Sequence, residues 1–355
     1  MQVLVAMSGG VDSSVAAAIL RDEGHEVVGV TLRLWGGESD SGCCSVSDVD
    51  DARRVAQQLD IEHLVFNYAD QFERDVVGPY VDAHRIGVTP NPCIECNRHL
   101  KFDALLRRAE ALGFDAVATG HHARVVEVDG AARLARGADR AKDQSYVIHM
   151  LDERSLRRVL LPVGTMHKDE VRRRAGALGL RTADKPDSQD VCFISHTGGG
   201  RRTFLGSRIE LRPGRLVDGS GDDLGSVDAV ELVTVGQRKG LGIGIDGRPR
   251  YALDVDTESG IVRVGTVDEL DDDGVTLGSV TWVDADARGR AMRAGVTAQT
   301  SAHGEPIEVR EITTSSTDGA TVRLVWDAPR RRVAAGQSVV LYDGEIVLGG
   351  GIVTR

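Results

Sequence analysis

Val3-Leu4-Val5-Ala6-Met7-Ser8-Gly9-Gly10-Val11-Asp12-Ser13-Ser14 is an apolar run that stops at two glycines and gives way to alanines, Ile19 and Leu20 at helical spacing. The order is strand, glycine turn, helix. No basic residue precedes the apolar run, so the start reads as the first strand of a core and not as a secretory leader. Working outward, residues 26–35 and 63–68 read as strands, 49–59 and 102–112 as helices, and 115–119 as another short buried strand. Strands alternating with helices predict an α/β fold with a doubly wound parallel sheet. Such sheets gather ligands at the carboxyl ends of their strands, which is where Ser8-Gly9-Gly10 falls.

The pattern changes near Arg201. Helical spacing fades, and short β-branched runs such as Gly260-Ile261-Val262-Arg263-Val264-Gly265 alternate with Gly and Asp turns. From residue 275 the pattern is β throughout, including Thr321-Val322-Arg323-Leu324-Val325-Trp326 and Ser338-Val339-Val340-Leu341-Tyr342, at the spacing of a small barrel. A chain of 355 residues exceeds what one core serves. The reading therefore divides it into a catalytic domain over 1–200, a small β-rich central domain over 201–274 and a C-terminal β-barrel over 275–355. No run of eighteen apolar residues is present, so no membrane span is expected. A cytoplasmic monomer is.

A net charge of −11 argues against a nucleic-acid partner, but its distribution argues for one. Between Arg98 and Arg215 there are 23 Lys+Arg against 15 Asp+Glu, while the rest of the chain has 20 against 39. A phosphate backbone needs a locally positive surface, not a positive whole protein. For any single cluster, such as Arg172-Arg173-Arg174, a solvated helix face is the plainer account.

In the glycine turn, Gly9 and Gly10 let the backbone approach an anion, Ser13 and Ser14 add hydroxyls, and the helix start adds N–H groups and a positive dipole end. The lysine of a Walker loop and the third glycine of a dinucleotide fingerprint are both absent. Five cysteines (43, 44, 93, 96 and 192) are an odd number in a chain without an export signal, which favours reduced thiols. Cys96 lies in Thr89-Pro90-Asn91-Pro92-Cys93-Ile94-Glu95-Cys96-Asn97-Arg98, where Arg98, Lys101 and a helix expected to begin near His99 favour a thiolate. Cys192 enters the apolar run Cys192-Phe193-Ile194, where burial as a small apolar residue is an equal alternative. Cys93 and Cys96 have metal-ligand spacing but lack a second pair, so a cluster on Cys93, Cys96 and Cys192 is the weaker reading.

Ser8-Gly9-Gly10-Val11-Asp12-Ser13 resembles the PP-loop of the ATP pyrophosphatases, which cleave ATP between α- and β-phosphates and adenylate an acceptor. The likeness becomes specific through the ordered series Thr89-Pro90-Asn91-Pro92 with Cys96-Asn97, Ala118-Thr119-Gly120-His121, Lys142-Asp143-Gln144-Ser145-Tyr146, Asp187-Ser188 with Cys192-Phe193-Ile194, and Gly236-Gln237-Arg238-Lys239-Gly240-Leu241. Across nearly its whole length the chain resembles the bacterial tRNA-specific 2-thiouridylases. That resemblance implies ATP held by Ala6, Met7, Ser8, Gly9, Gly10, Val11, Asp12, Ser13, Leu32 and Gly120, with Mg²⁺ on its phosphates. It implies Cys192 as the persulfide carrier and Cys96 as the nucleophile that closes a transient disulfide. Asn91, Pro92 and Cys93 would lie at the target base, and His121, Lys142, Asp143, Gln144 and Gln337 on the tRNA. Implied partners are tRNAs for Glu, Gln and Lys, and a cysteine desulfurase or sulfur-relay protein.

Departures from the family pattern are Cys93 at a position commonly Asp, which leaves the acid–base residue open, and His122 at a usual Tyr. Residues 223–229 lack a common His and Gly, and Ser301-Ala302 stands where an Arg-Tyr tRNA contact is usual. Three rivals make separable demands. Another PP-loop adenylating enzyme has no use for Cys96 and Cys192. An iron–sulfur-dependent thiolase requires Cys93 and is brown when purified anaerobically. A non-catalytic RNA-binding protein forms no AMP.

Overall fold

The computed structural model describes residues 1–34, 46–187, 191–194, 199–244, 247–293, 295–314 and 320–354. Cys43, Cys44 and Ser188, all singled out in the sequence, lie outside the described residues, as does residue 35 at the end of the second expected strand. The chain forms two compact units. One comprises Met1–Val76, Pro92–Ser195 and Glu345–Val347, the other Val77–Asn91, His196–Gly344 and Leu348–Arg355.

The first unit is built on strands β1 (Gln2–Ala6), β2 (Glu26–Arg33), β3 (Glu62–Asn67) and β4 (Ala116–Thr119), a hairpin of β5 (Ala123–Val128) and β6 (Ala131–Arg136), and the short β7 (Val159–Leu160). Its sheet has the order β3-β2-β1-β4-β7, parallel at every pairing, as the alternation predicted. Val3, Leu4 and Val5 are fully buried, because a central parallel strand is covered on both faces. Helices α1 (Val11–Asp22), α2 (Val46–Gln58) and the later helix Lys168–Ala177 supply the cover. Ala16, Ala17 and Ala18 of α1 are wholly buried, their small side chains admitting neighbours on several sides. Helix α1 ends where Gly24 takes φ 84° and its N–H reaches Arg21 O. Strand orders on either side of β1 diverge, which sets the loop after β1 at the topological switch point.

The unit also holds α3 (Ala69–Phe72), while α4 (Gly78–Arg85) belongs to the second unit. Helix α5 (Pro92–Cys96) returns to the first unit and continues without a break through a π-helical segment, Asn97–Ala104, into the α-helix Leu105–Ala111. The sequence placed this helix start near His99. It begins at Pro92 instead, because proline suits the first helical turn, where its missing N–H costs nothing. Cys96 therefore sits inside the helical run, and Cys93 is the thiol in its first turn.

In the second unit, β8 (Gly214–Val217), β9 (Asp223–Val227), β10 (Tyr251–Asp256) and β11 (Ile261–Gly265) form a sheet of order β10-β11-β8-β9. The pair β11–β8 is parallel and the others antiparallel. Strands β12 (Asp271–Trp282), β13 (Val296–Gln299), β14 (Ile307–Thr314), β15 (Val322–Arg331), β16 (Ser338–Asp343) and β17 (Ile346–Val353) close into a six-stranded antiparallel barrel through the β12–β17 pairing. Closure removes the exposed edges that such strands leave open. Alternate residues point inward, so Leu277, Leu324, Trp326, Leu341 and Val353 make its core. One element departs from the expected all-β pattern after residue 275: a short helix, Ala287–Ala291, follows Asp284, whose carboxylate accepts Ala287 N–H at 2.8 Å.

Candidate active site

The loop after β1 closes on itself. Ser8 N–H donates to Ser13 Oγ at 3.2 Å, and the Ser13 and Ser14 hydroxyls both donate to Gly10 O, at 3.2 and 2.8 Å. The two serine hydroxyls thus fasten the loop and are not held out toward an anion. What faces outward is the start of α1, whose N-cap is Gly10 and which no side chain caps. Uncapped first-turn N–H groups are the structural requirement for a phosphate at a helix start. Gly120, after β4, is pressed against this turn. A Cβ there would lie 2.5 Å from Ser13 N and 2.7 Å from Asp12 C, so only glycine permits the approach. Ala6 ends β1 and Met7 follows it, while Val11 opens α1 and Leu32, buried, lies on β2.

Beside the loop runs a chain of charge that the sequence reading largely missed. Asp12 accepts from His122 Nε2 at 3.0 Å and from Lys168 Nζ at 2.7 Å. Lys168 Nζ also lies 2.9 Å from Asp187, whose carboxylate takes Lys142 Nζ and an Arg172 guanidinium N–H, each at 2.8 Å. Burial opposes the charge on Asp12, but hydrogen bonds from His122 and Lys168 outweigh it and lower the carboxyl below its usual range. Burial likewise opposes charge on Asp187, and Lys142 and Lys168 lower it strongly. Lys168 is 8% exposed, a buried ammonium at the first position of its helix. Its only sequence signal was a lysine opening a helix, which reads as a solvated cation.

Of the residues assigned to tRNA, several have inward partners. His121 is buried, with Nδ1 2.8 Å from Thr119 Oγ1 and its ring 5.6 Å from Phe102. Burial, then the nearby Lys101 charge, pushes it well below the ordinary histidine value, so it is neutral at neutral pH. Asp143 is buried and accepts from Arg136 at 3.0 Å, Ser145 Oγ at 2.9 Å and the N–H groups of Gly137 and Ser145. Gln144 Oε1 accepts His122 N–H at 2.9 Å. Gln144 thus holds the backbone of His122, which contacts Asp12, and Lys142 reaches Asp187. In the second unit, Gln337 donates its amide to Thr89 O, while Thr89 N–H donates to Ala335 O at 3.0 Å. Gly336 has φ 89°, and a Cβ on it would lie 2.5 Å from Val88 Cγ1, so the turn at 335–337 clamps the segment that carries Asn91. Arg238 and Lys239 stand exposed on a turn whose Gln237 side chain bonds inward to Thr234 N–H and Lys239 O.

Cys93, Cys96 and Cys192 are thiols, none of them in a disulfide. Cys96 is 7% exposed, and Cys93 and Cys192 are half-buried. The segments that carry Cys96 and Cys192 both lean on α3 in the first unit. Phe193 meets Phe72 edge-on at 5.7 Å, and Gln71 Nε2 reaches His99 O at 3.5 Å. The π-helical turn begins one residue after Cys96, an irregularity found most often at functional sites. Asn97 is buried there and donates to Val147 O at 2.9 Å. Arg98, expected to act on Cys96, is 3.3 Å from Glu95, which His99 also approaches at 3.3 Å. Val191, immediately before Cys192, has φ 53°, a conformation a β-branched residue holds only under strain of about 1–3 kcal/mol. Among the described residues, no three His, Cys, Asp or Glu side chains are grouped to hold a metal ion.

Comparison with known proteins places these features in company. The chain matches the family model described as the tRNA methyl transferase HUP domain over residues 1–196. It matches the tRNA methyl transferase PRC-barrel domain over 202–266 and the aminomethyltransferase beta-barrel domain over 272–353. It is 46% identical over 367 residues to the tRNA-specific 2-thiouridylase MnmA of Mycolicibacterium smegmatis, covering 100% of each chain. Identity is 43% over 364 residues to the protein of that name from Carboxydothermus hydrogenoformans, covering 100% of this chain and 98% of the relative. It is 45% over 362 residues for that of Chloroflexus aggregans, covering 99% and 98%.

Proposed function

Because the chain belongs to the tRNA-specific 2-thiouridylase family, we propose that it replaces the C2 oxygen of a tRNA wobble uridine by sulfur, forming AMP and pyrophosphate from ATP. It is a sulfurtransferase. The uridine C2 oxygen attacks the α-phosphorus and pyrophosphate leaves, which turns a poor leaving group into AMP. Cys192 carries the incoming sulfur as a persulfide, whose terminal sulfur attacks C2 and expels AMP. Cys96 attacks Cys192 Sγ, breaking the persulfide bond and closing a Cys96–Cys192 disulfide. The observation that carries this reading is that the segments bearing these two thiols pack on one short helix of the unit that also holds the uncapped loop.

ATP fits that loop through the first-turn N–H groups of α1, with Lys168, Lys142 and Arg172 as neighbouring cations. Mg²⁺ takes few protein ligands and completes its shell with phosphate oxygens, so Asp12 and Asp187 are the carboxylates suited to it. When bound, it supplies neutralisation of phosphate charge. Asn91 and Pro92 lie at the extruded base, and Arg238 and Lys239 grip the RNA backbone. Residues 1–200 would then carry the chemistry, while 201–274 and 275–355 hold tRNA for Glu, Gln and Lys. A cysteine desulfurase or sulfur-relay protein loads Cys192. The protein works in the cytoplasm as a monomer.

The test is to combine the protein with ATP, Mg²⁺, cysteine, a cysteine desulfurase and unmodified tRNA, then digest the tRNA and weigh its nucleosides. The expected result is 2-thiouridine and equimolar AMP from wild type, with no 2-thiouridine from Cys96→Ser or Cys192→Ser. Thiolation unchanged in both variants would overturn the reading.

A further inference from the structure

The pair of thiols proposed above leaves the catalytic cycle at a disulfide, and a third thiol stands three residues from one of them. We propose that Cys93 is a resolving thiol. Its thiolate attacks Cys96 Sγ in the Cys96–Cys192 disulfide, Cys192 departs as a thiolate, and a Cys93–Cys96 disulfide forms. One S–S bond breaks and one forms, so no oxidant or reductant is consumed in this step. An external dithiol, small or protein-borne, then reduces Cys93–Cys96. This inference rests on the sulfurtransferase reading above.

Three observations carry it. Cys93 and Cys96 lie three residues apart in α5, on one helical face, where side chains at this spacing are neighbours about 5–6 Å apart at Cβ. A disulfide needs the Cβ atoms about 1–2 Å closer, and α5 opens a helical run that loosens into the π-helical segment at Asn97, directly after Cys96. Second, the two thiols differ in access. Cys96 is 7% exposed and Cys93 half-buried, so an external dithiol meets Cys93 first. Third, Cys93 stands in the first turn of twenty continuous helical residues, where backbone N–H groups favour an anion, whereas Cys96 lies beyond them. Glu95, the one carboxylate between the two thiols in sequence, is engaged by Arg98 and His99. Passing the disulfide to Cys93–Cys96 frees Cys192 to accept the next persulfide before any reductant arrives.

The experiment uses full-length protein, the desulfurase system and tRNA, without added reductant, quenched in acid and alkylated. Trypsin leaves Cys93 and Cys96 on one peptide, 86–98, and Cys192 on another, since no Lys or Arg separates the first two. For wild type, the expected product is peptide 86–98 lighter by two hydrogens, with Cys192 alkylated. For Cys93→Ser, the expected product is 86–98 cross-linked to the Cys192 peptide, with thiolation stopping at one 2-thiouridine per protein. Adding dithiothreitol raises wild-type turnover at least tenfold more than that of Cys93→Ser. A wild-type protein that thiolates tRNA yet accumulates only the cross-linked peptide overturns the proposal and leaves the sulfurtransferase reading intact. No thiolation and no disulfide of either kind overturns that reading instead. Loss of the first turnover in Cys93→Ser also overturns the proposal, because it assigns Cys93 to the target base, where the family resemblance puts it, in place of a role confined to resolution.

Discussion

At the scale of single residues, Lys168 ties the phosphate loop to Asp187. Its ammonium bridges Asp12 of the phosphate loop and Asp187, at 2.7 and 2.9 Å, from a nearly buried position. Removing one member of such a group strands its partners in low dielectric. Lys168→Met is expected to destabilise the protein by about 3 kcal/mol and to raise KM for ATP at least tenfold, read by thermal unfolding and by pyrophosphate release. Lys168→Arg should recover most of the stability. Gln337→Ala removes the amide that holds Thr89, at about 1 kcal/mol. Its expected signature is reduced tRNA thiolation with nucleotide affinity unchanged, measured by titration with a nonhydrolysable ATP analogue. A direct RNA contact would instead weaken tRNA binding itself, so a filter-binding assay separates the two roles of this side chain.

At the scale of elements, Gly120 shows how one strand end shapes another's loop. Gly120→Ala puts a Cβ against Ser13 N, and the start of α1 must shift to make room. Nucleotide binding should fall at least tenfold while circular dichroism stays that of wild type; unchanged binding would remove Gly120 from the site. The elements around β1 were legible because continuous apolar runs bounded by glycine mark buried parallel strands. The helical start at Pro92 was not, because π-helical geometry over Asn97–Ala104 breaks the 3.6-residue spacing that reading depends on. The hairpin β5–β6 was hidden by Ala131-Ala132-Arg133-Leu134-Ala135-Arg136, whose alanines and arginines carry little strand preference. The glycine turn and the cysteine segments were visible as motifs. Lys168 and Arg172 were not, since only the fold brings them to Asp12 and Asp187.

For the whole molecule, buried histidines set how stability depends on pH. Burial lowers His149 in the first unit and His84 in the second to about 4, against an ordinary value of 6.5. Below pH 6.5 the unfolded chain binds protons that the folded one refuses, so stability falls as pH drops from 6.5 toward 4, by about 3 kcal/mol for each histidine. Asp12 and Asp187, held below their usual 3.8, stabilise the fold above that value and lose this contribution as pH falls further. Denaturant unfolding between pH 4 and 7 should show the slope, and His149→Gln should reduce it. One chemical cycle joins the nucleotide loop at the carboxyl end of the central strand β1 to two thiols whose segments pack on α3. That cycle depends on the division of labour between Cys192 and Cys96. The most direct measurement loads the protein with ³⁵S from labelled cysteine through a desulfurase, without tRNA, and locates the label by peptide mapping. Label on Cys192 in wild type and in Cys96→Ser, with none in Cys192→Ser, is the predicted result. Label retained on Cys96 in Cys192→Ser would contradict it.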